Sequence, residues 1–335
     1  MKTFASLFTG FGGADLGAMA AGLQPAWGVE YDAAIAEVGN TNLGQHIKVA
    51  NILDCKPRNF ERVDVLHASP PCPNFSVAKA GGVETAHDLA MAAKVAEFVT
   101  VLQPRVFTLE NVQAYRKSRS WHIINEALNN AGYWLNIEIV NSADYGVPQT
   151  RKRMIVRAIR GGFVPYLPAP VSWVGWYAAI EDMLHTLPDS QFAPWQLARL
   201  PDELRSHWMI GSENAGQQWG GTRYAEQPSF TITTSQSPRA FLVGKHYDAP
   251  SSVLDRHVQT KAAHEPAMTV TSSDKNECRG LFDGGRVVAM TPRALARFQS
   301  FPDSYMLPDS KTLAAKGIGN AVPPLLMQRV MEGLL

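Results

Sequence analysis

Residues 3–22 read TFASLFTGFGGADLGAMAAG, and the parsing of this stretch decides the fold. TFASLF (3–8) is a short apolar run that suits a buried strand. TGFGG (9–13) is a turn, and Asp15 to Gly22 reads as the helix that follows it. A strand handing over to a helix through a glycine turn is the opening of a βα unit, and the chain should repeat it if the sheet is doubly wound.

The chain does repeat it. PAWGVE (25–30) reads as a second strand, followed by a helix over Tyr31 to Asn42. VDVLHAS (63–69) is an apolar strand that runs into a proline-rich stretch. DLAMAAKVAEFVTVLQP (88–104) places Leu89, Ala92, Ala93, Ala96 and Val99 on one helical face, with Asp88 able to cap it and Pro104 after its end. RVFTLENV (105–112) is a further strand, WHIINEALNNAG (121–132) a helix stopped by Gly132, and WLNIEIV (134–140) and MIVRAI (154–159) read as strands. Strands separated by helices predict a parallel, doubly wound α/β sheet.

From about residue 161 the βα rhythm stops and Pro, Gly, Trp and Ser rise, as in GGFVPYLPAPVSWVGW. Within the next stretch PSFTITTS (228–235) and PAMTVTSS (266–273) echo one another, each predicting a short β-branched strand. The final GIGNAVPPLLMQRVMEGLL reads as a glycine turn followed by an apolar helix that packs back on the first domain. The expected boundaries are 1–165, 166–303 and 304–335.

The chain has 335 residues and is 45% hydrophobic, enough for a large domain with a smaller one. It has no apolar run of about 18 residues, so no transmembrane helix is expected, and MKTFASLFTGFGG lacks the pattern of a signal peptide. The cysteines are Cys55, Cys72 and Cys278, with no CxxC, which argues against a disulfide scaffold or a metal site and fits a cytoplasmic protein. Net charge is +1, but RKRMIVRAIR (151–160) holds five basic residues in ten and YRKSR (115–119) three in five, either a solvated basic face or a groove for phosphates.

Ligands of doubly wound sheets bind at the carboxyl ends of the strands, where FTGFGGADLG (8–17) falls. The turn is not G-x-G-x-x-G and lacks a P-loop lysine, which disfavours a dinucleotide or a nucleoside triphosphate. A smaller ligand with a carboxylate and an adenosine suits it, with Glu30 placed to take both ribose hydroxyls and Tyr31 to stack on a base. SPPCPNFS (69–76) is the second unusual stretch: Pro70, Pro71 and Pro73 stiffen an extended bend that presents Cys72 at its edge.

In order along the chain, FTGFGG, PPCPNFS, ENV (110–112), QTRKR (149–153) and GNAVPP (319–324) resemble the motifs of the cytosine-5 DNA methyltransferase family. The resemblance covers roughly 1–160 and 291–335, with a variable segment between. It implies a Rossmann-like methyltransferase sheet with a second, smaller, mainly β or irregular target-recognition domain, and S-adenosylmethionine as cofactor, leaving as S-adenosylhomocysteine. Phe8, Gly10, Gly12, Gly13, Glu30, Tyr31, Asn51, Ile52, Pro71, Asn320 and Val322 are the cofactor-site residues it implies.

Attack of a thiolate on C6 of cytosine makes C5 electron-rich enough to take a methyl group from a sulfonium, and Cys72 is the nucleophile on this reading. About 3% of an ordinary thiol is ionised at pH 7, a cost of roughly 2 kcal/mol that a nearby Arg151 or Arg153 can lower. Glu110 is suited to protonating or hydrogen-bonding N3 of the ring, and the apolar strand behind it is expected to reduce the roughly 3.7 kcal/mol that protonation of an ordinary Glu costs at pH 7. Asn111 is expected to hold the local turn. By resemblance, Arg151 and Arg153 orient the thiol loop and bind the cytosine carbonyl oxygen. The chain departs from the family at VANILD, where Asn51 stands in place of an adenine-contacting Asp, and at VETAHDLA, which replaces an Arg-Gly turn.

The resemblance implies duplex DNA as partner, a flipped target base, a monomer, and a restriction endonuclease that need not bind. Ser76, Arg223, Thr233, Arg239, Lys275 and Arg279 are DNA-contact candidates, and Arg293 and Arg297 in TPRALARFQSFPDSY (291–305) are read as structural. RNA cytosine methylation by the same chemistry, and a catalytically silent DNA-binding relative, are the alternatives.

Overall fold

The computed structural model describes residues 1–71, 84–189 and 286–334, together with backbone strands at 209–214, 218–224, 238–240, 267–268 and 279–282. The chain divides into two compact units. The first is Met1–Asn141, Lys152–Pro170 and Ala321–Leu335; the second is Ser142–Arg151 and Val171–Asn320.

The first unit opens as β1 (Thr3–Leu7), α1 (Gly13–Ala20), β2 (Gln24–Glu30), α2 (Ala33–Leu43), β3 (Ile47–Val49) and β4 (Val65–Ala68). It continues with α3 (Ala86–Leu102), β5 (Val106–Val112), α4 (Arg119–Asn130) and β6 (Tyr133–Asn141). After β7 (Gln149–Thr150), which belongs to the second unit, β8 (Lys152–Arg160) returns to it. The seven strands are ordered β3-β2-β1-β4-β5-β8-β6. Strand order reverses between β1 and β4, which makes the mouth between their carboxyl ends the topological switch point.

The expected all-parallel sheet is corrected at one strand. β8 runs antiparallel to both β5 and β6. No crossover helix separates β6 from β8, and a short connection returns the chain antiparallel. β3, which the sequence pattern does not single out, extends the other edge by pairing with β2.

Local chemistry sets the helix starts. Asp32 caps α2 by accepting from Ala34 and Ile35 N–H. For α3 the cap is Thr85 rather than Asp88: the Thr85 hydroxyl accepts from Asp88 N–H while Asp88 reaches back to Thr85 N–H, a capping box that starts the helix two residues earlier. The core is built from β1, β4 and β5 side chains such as Leu7, Leu66, Phe107 and Leu109 against Val95, Phe98 and Val99 of α3.

In the second unit, β9 (Met209–Asn214), β10 (Gln218–Tyr224), β13 (Arg279–Phe282) and β14 (Arg286–Ala289) form a sheet ordered β10-β9-β13-β14, with β11 (Pro238–Ala240) on β9. β12 (Ala267–Met268) pairs in parallel with β7. The echo at 228–235 lies outside the described residues, as does all of 266–273 except β12. α5 (Trp176–Ile180), α6 (Pro292–Phe298) and α7 (Lys311–Asn320) complete the unit. The glycine turn expected at GIGN is corrected: Gly317 and Gly319 are buried within α7, so tertiary packing overrides glycine's weak helix propensity.

α8 (Pro324–Met331) lies in the first unit and packs on α1. The contact is close enough to require Gly17, where a Cβ would lie 2.3 Å from Pro324 O and 2.6 Å from Met327 Cβ.

Candidate active site

The parallel strands of the first unit bring the ends of β1, β2, β4 and β5 to one edge of the sheet. β1 ends in the glycine turn. Phe8 takes φ 63°, Gly10 φ 60° and Gly12 φ 73°, so a residue other than glycine carries left-handed strain at this site. Among the described residues, nothing lies within 4 Å of the place a Cβ would take on Gly10.

The turn is bound to the end of β2 through Glu30. Its Oε2 accepts from Gly10 N–H at 2.8 Å and its Oε1 from Asp32 N–H at 2.9 Å. Each carboxylate oxygen has two lone pairs, so both keep one for a ligand. Tyr31 beside it is 75% exposed. Open space at Gly10, a fixed carboxylate and an exposed ring fit the ribose and base of an adenosine.

Asn51 spends its oxygen on the backbone. Its Oδ1 accepts from Leu53 N–H at 3.1 Å and caps the short helical turn Ile52–Asp54. Its Nδ2 is then the group suited to meet a base. Ile52 and Val322 are buried, Pro71 and Asn320 exposed, and Gly13 opens α1.

β4 runs into Ser69, whose hydroxyl donates to Phe8 O at 3.3 Å. Asn111 Nδ2 donates to Pro70 O at 3.0 Å, and its Oδ1 accepts from Val112 N–H at 2.8 Å. The backbone two residues before Cys72 is thus held by the neighbour of Glu110, the turn-holding part expected of Asn111. Cys72 and Ser76 lie outside the described residues. At 84, where the chain is next described, Glu84 accepts from Arg119 N–H, Ser120 N–H and the Ser120 hydroxyl, each at 2.7 Å. Burial alone pushes the Glu84 carboxyl up, but the Ser120 and Arg119 donors outweigh it and hold it below its usual range.

Glu110 sits on β5, 6% exposed. The antiparallel register pairs Val112 with Arg153 at the start of β8, and this delivers Arg153 Nε to 3.1 Å from Glu110 Oε1. Burial pushes the Arg153 guanidinium down, and Glu110 opposes that. The apolar wall expected behind Glu110 therefore carries a cation. Arg151, in the second unit, has another partner: it is 3% exposed and donates from Nη1 to Gly319 O at 3.0 Å.

Of the DNA-contact candidates, Thr233 and Lys275 lie outside the described residues, and Arg223, Arg239 and Arg279 are placed only as backbone of β10, β11 and β13. Arg293 donates to Pro302 O and Tyr305 O, and Arg297 binds Asp303 and Asp182, so both are taken up inside the second unit. No cluster of metal-ligating side chains exists among the described residues, and no described helix is long and apolar enough to cross a membrane.

The sequence reading missed a buried group behind the glycine turn. Asp15, fully buried on α1, accepts from Ser6 Oγ at 3.0 Å and lies 2.9 Å from His46 Nε2. Asp15 and His46 stand 31 positions apart, and no local pattern joins them.

Comparison with known proteins gives the family. The model of the C-5 cytosine-specific DNA methylase family matches residues 2–335. The chain is 27% identical over 352 residues to the type II methyltransferase M1.HphI of Haemophilus parahaemolyticus, covering 99% of this chain and 86% of that one. It is 29% identical over 344 residues to M.HpaII of Haemophilus parainfluenzae, covering 99% and 89%. Its fold is similar to that of a solved E. coli protein described as a DNA modification methyltransferase encoded within a prophage, with TM-score 0.64, 19% identity, and coverage of 100% and 98%.

Proposed function

This chain belongs to the C-5 cytosine-specific DNA methylase family and is a DNA (cytosine-5-)-methyltransferase, and on that premise we propose that it methylates C5 of a flipped-out cytosine within a specific duplex DNA sequence, through a covalent bond between Cys72 and C6. The cofactor proposed is S-adenosylmethionine, which when bound supplies an electrophilic methyl on a sulfonium. Glu30 receives the ribose hydroxyls, the Gly10 turn the adenosine and methionine parts, and Tyr31 a face of the base.

The Cys72 thiolate forms the Sγ–C6 bond as Glu110 gives a proton to N3, so the ring's electrons collect at C5. C5 takes the methyl, the C5 proton leaves to a base, and the C6–Sγ bond breaks to return the thiolate as N3 gives its proton back to Glu110. Arg153 holds the Glu110 carboxyl in place and offers N–H groups to the cytosine carbonyl oxygen.

The observation that carries this reading is the Asn111–Pro70 hydrogen bond of 3.0 Å, which ties the start of the Cys72 stretch to the strand end bearing Glu110. The base is flipped because a stacked ring cannot meet a thiol on one face and a methyl donor at its edge. The segment 166–303 is proposed to read the DNA sequence, with Arg223, Thr233, Arg239, Lys275 and Arg279 among its contacts and Ser76 of the Cys72 stretch as a further DNA contact, and the protein to act as a cytoplasmic monomer within a restriction-modification system.

Bisulfite sequencing of DNA from cells expressing the protein tests the reading. New 5-methylcytosine in one sequence context is expected, lost with Cys72→Ser; methylation that persists in that variant contradicts the assignment of the nucleophile.

A further inference from the structure

The group behind the glycine turn has a hydrogen-bond pattern that an imidazolium beside an Asp15 carboxylate satisfies at both ring nitrogens. His46 Nε2 is 2.9 Å from Asp15 Oδ1, and its Nδ1 is 3.1 Å from Gly44 O. Both oxygens are acceptors. A neutral imidazole has a single N–H, so one ring nitrogen would set its lone pair against an oxygen; the imidazolium donates at both. The Asp15 side chain is fully buried and that of His46 is 9% exposed, its Nδ1 turned to the exposed Gly44.

Asp15 passes this order to the turn. The oxygen that faces His46 also accepts from Ser6 Oγ at 3.0 Å, and Ser6 Oγ lies 2.8 Å from Thr9 Oγ1. Thr9 is the root of the turn: its N–H donates to Val29 O at 3.0 Å, and its carbonyl accepts from Gly12 N–H at 2.9 Å. Asp15 itself stands in the first turn of α1, directly after the glycines.

We propose that His46, as an imidazolium, is a positioning residue for cofactor binding: through Asp15 it holds Ser6, Thr9 and the backbone of the 9–13 turn in the shape that receives S-adenosylmethionine, and affinity weakens as the ring loses its proton. The inference rests on reading this turn as the cofactor site.

The charged and polar groups facing the ring are few among the described residues. α1 contributes Asp15, the segment before β3 the carbonyls of Leu43 and Gly44, and Glu30 is committed to Gly10 and Asp32 instead. Burial pulls the imidazole down; Asp15 and the two carbonyls outweigh it and leave the ring raised above its ordinary value. A histidine raised on folding contributes stability in full below its unfolded value and loses it as pH rises through the folded one. The turn is therefore firmest below the ordinary histidine value and loosens as pH rises through the raised one.

The test is calorimetric binding of S-adenosylmethionine to the full chain and to His46→Gln, from pH 6 to pH 9. At pH 6 the variant is expected to bind about tenfold more weakly, the loss expected of a charged hydrogen bond; the gap should narrow as pH rises toward 9. The ratio of the two affinities removes titration of the ligand's own amino group. A ratio that stays constant with pH overturns the inference while leaving the cofactor reading intact. Absence of binding by the wild type at pH 6 overturns the cofactor reading, and the inference with it. A second measurement needs no variant: the titration of the His46 ring followed by NMR must move upward when S-adenosylmethionine saturates the protein, by reciprocity of linkage. A titration that bound cofactor does not move overturns the inference even if His46→Gln fails to fold.

Discussion

Two histidines in the same unit are shifted in opposite directions from their ordinary value. His67 lies in the middle of the sheet on β4, fully buried, stacked on Phe4, with Nδ1 2.9 Å from the Thr108 hydroxyl. Burial pushes it down to about 3, so it is neutral at any working pH. His46 is also pulled down by burial, and Asp15 reverses the result. The difference is the partner, not the depth. It extends to the carboxylates: the sheet's carboxyl edge holds Glu30, Asp15 and Glu110 in place with specific donors. Charge sits where a partner answers it, at this edge and at Arg157, buried in the middle of β8 and donating to Glu332 O and Pro165 O, and four measurements can break or sharpen the contrast between edge and interior.

The largest effect is expected at the edge. Glu110→Gln removes the transferable proton, and single-turnover methyl transfer, measured on protein shown to be folded, should fall by about 10²–10⁴; the melting temperature falls as well, because the buried Arg153 cation loses its carboxylate. Transfer at the wild-type rate would remove Glu110 from the reaction.

Arg153→Ala leaves the buried Glu110 carboxylate without its cation, at a cost of about 3–5 kcal/mol in chemical denaturation. Adding Glu110→Gln to it should recover part of that loss; if the double variant is as unstable as the sum of the singles, the pair is not coupled.

In the interior, packing sets the cost. Gly17→Ala drives a methyl into Pro324 O and Met327 and should cost about 3 kcal/mol, with α8 the first element to lose hydrogen-exchange protection. An unchanged melting temperature would mean that the α1–α8 contact is looser than described.

The smallest effect comes from His67. Its folded value lies below the ordinary 6.5, so the unfolded chain binds the extra proton and stability is complete above about 6.5 and lost as pH falls. The loss should be about 0.7 kcal/mol between pH 7 and pH 6 and about 2 kcal/mol by pH 5. His67→Leu should remove that part of the slope; a variant that keeps it would place the acid lability elsewhere.

Much of this is legible in the sequence. The apolar runs mark β1, β2, β4, β5, β6 and β8, and the glycine turn, Glu30 and Glu110 all fall at strand ends, where the sequence puts them. Strand direction is not legible, because an apolar run looks the same in either sense; with it goes the register that brings Arg153 to Glu110. Asp88 and Thr85 are both good cap residues, and only the geometry shows that one caps and the other answers it. Ser-Asp-His contacts such as Ser6–Asp15–His46 cross three elements, and no spacing rule encodes them. The sequence offers Asn51 whole as a base contact, but the helical turn after it claims its oxygen.

The central claim is that the Cys72 sulfur bonds to the target ring during methylation. Duplex DNA carrying 5-fluorocytosine at the methylated position, incubated with wild-type protein and S-adenosylmethionine, tests it most directly, since a C5 fluorine cannot leave as a proton does. Intact-mass measurement should find protein joined to one DNA strand with one added methyl, and peptide mapping should find the link at Cys72. Protein that methylates ordinary DNA yet forms no such adduct would contradict the account.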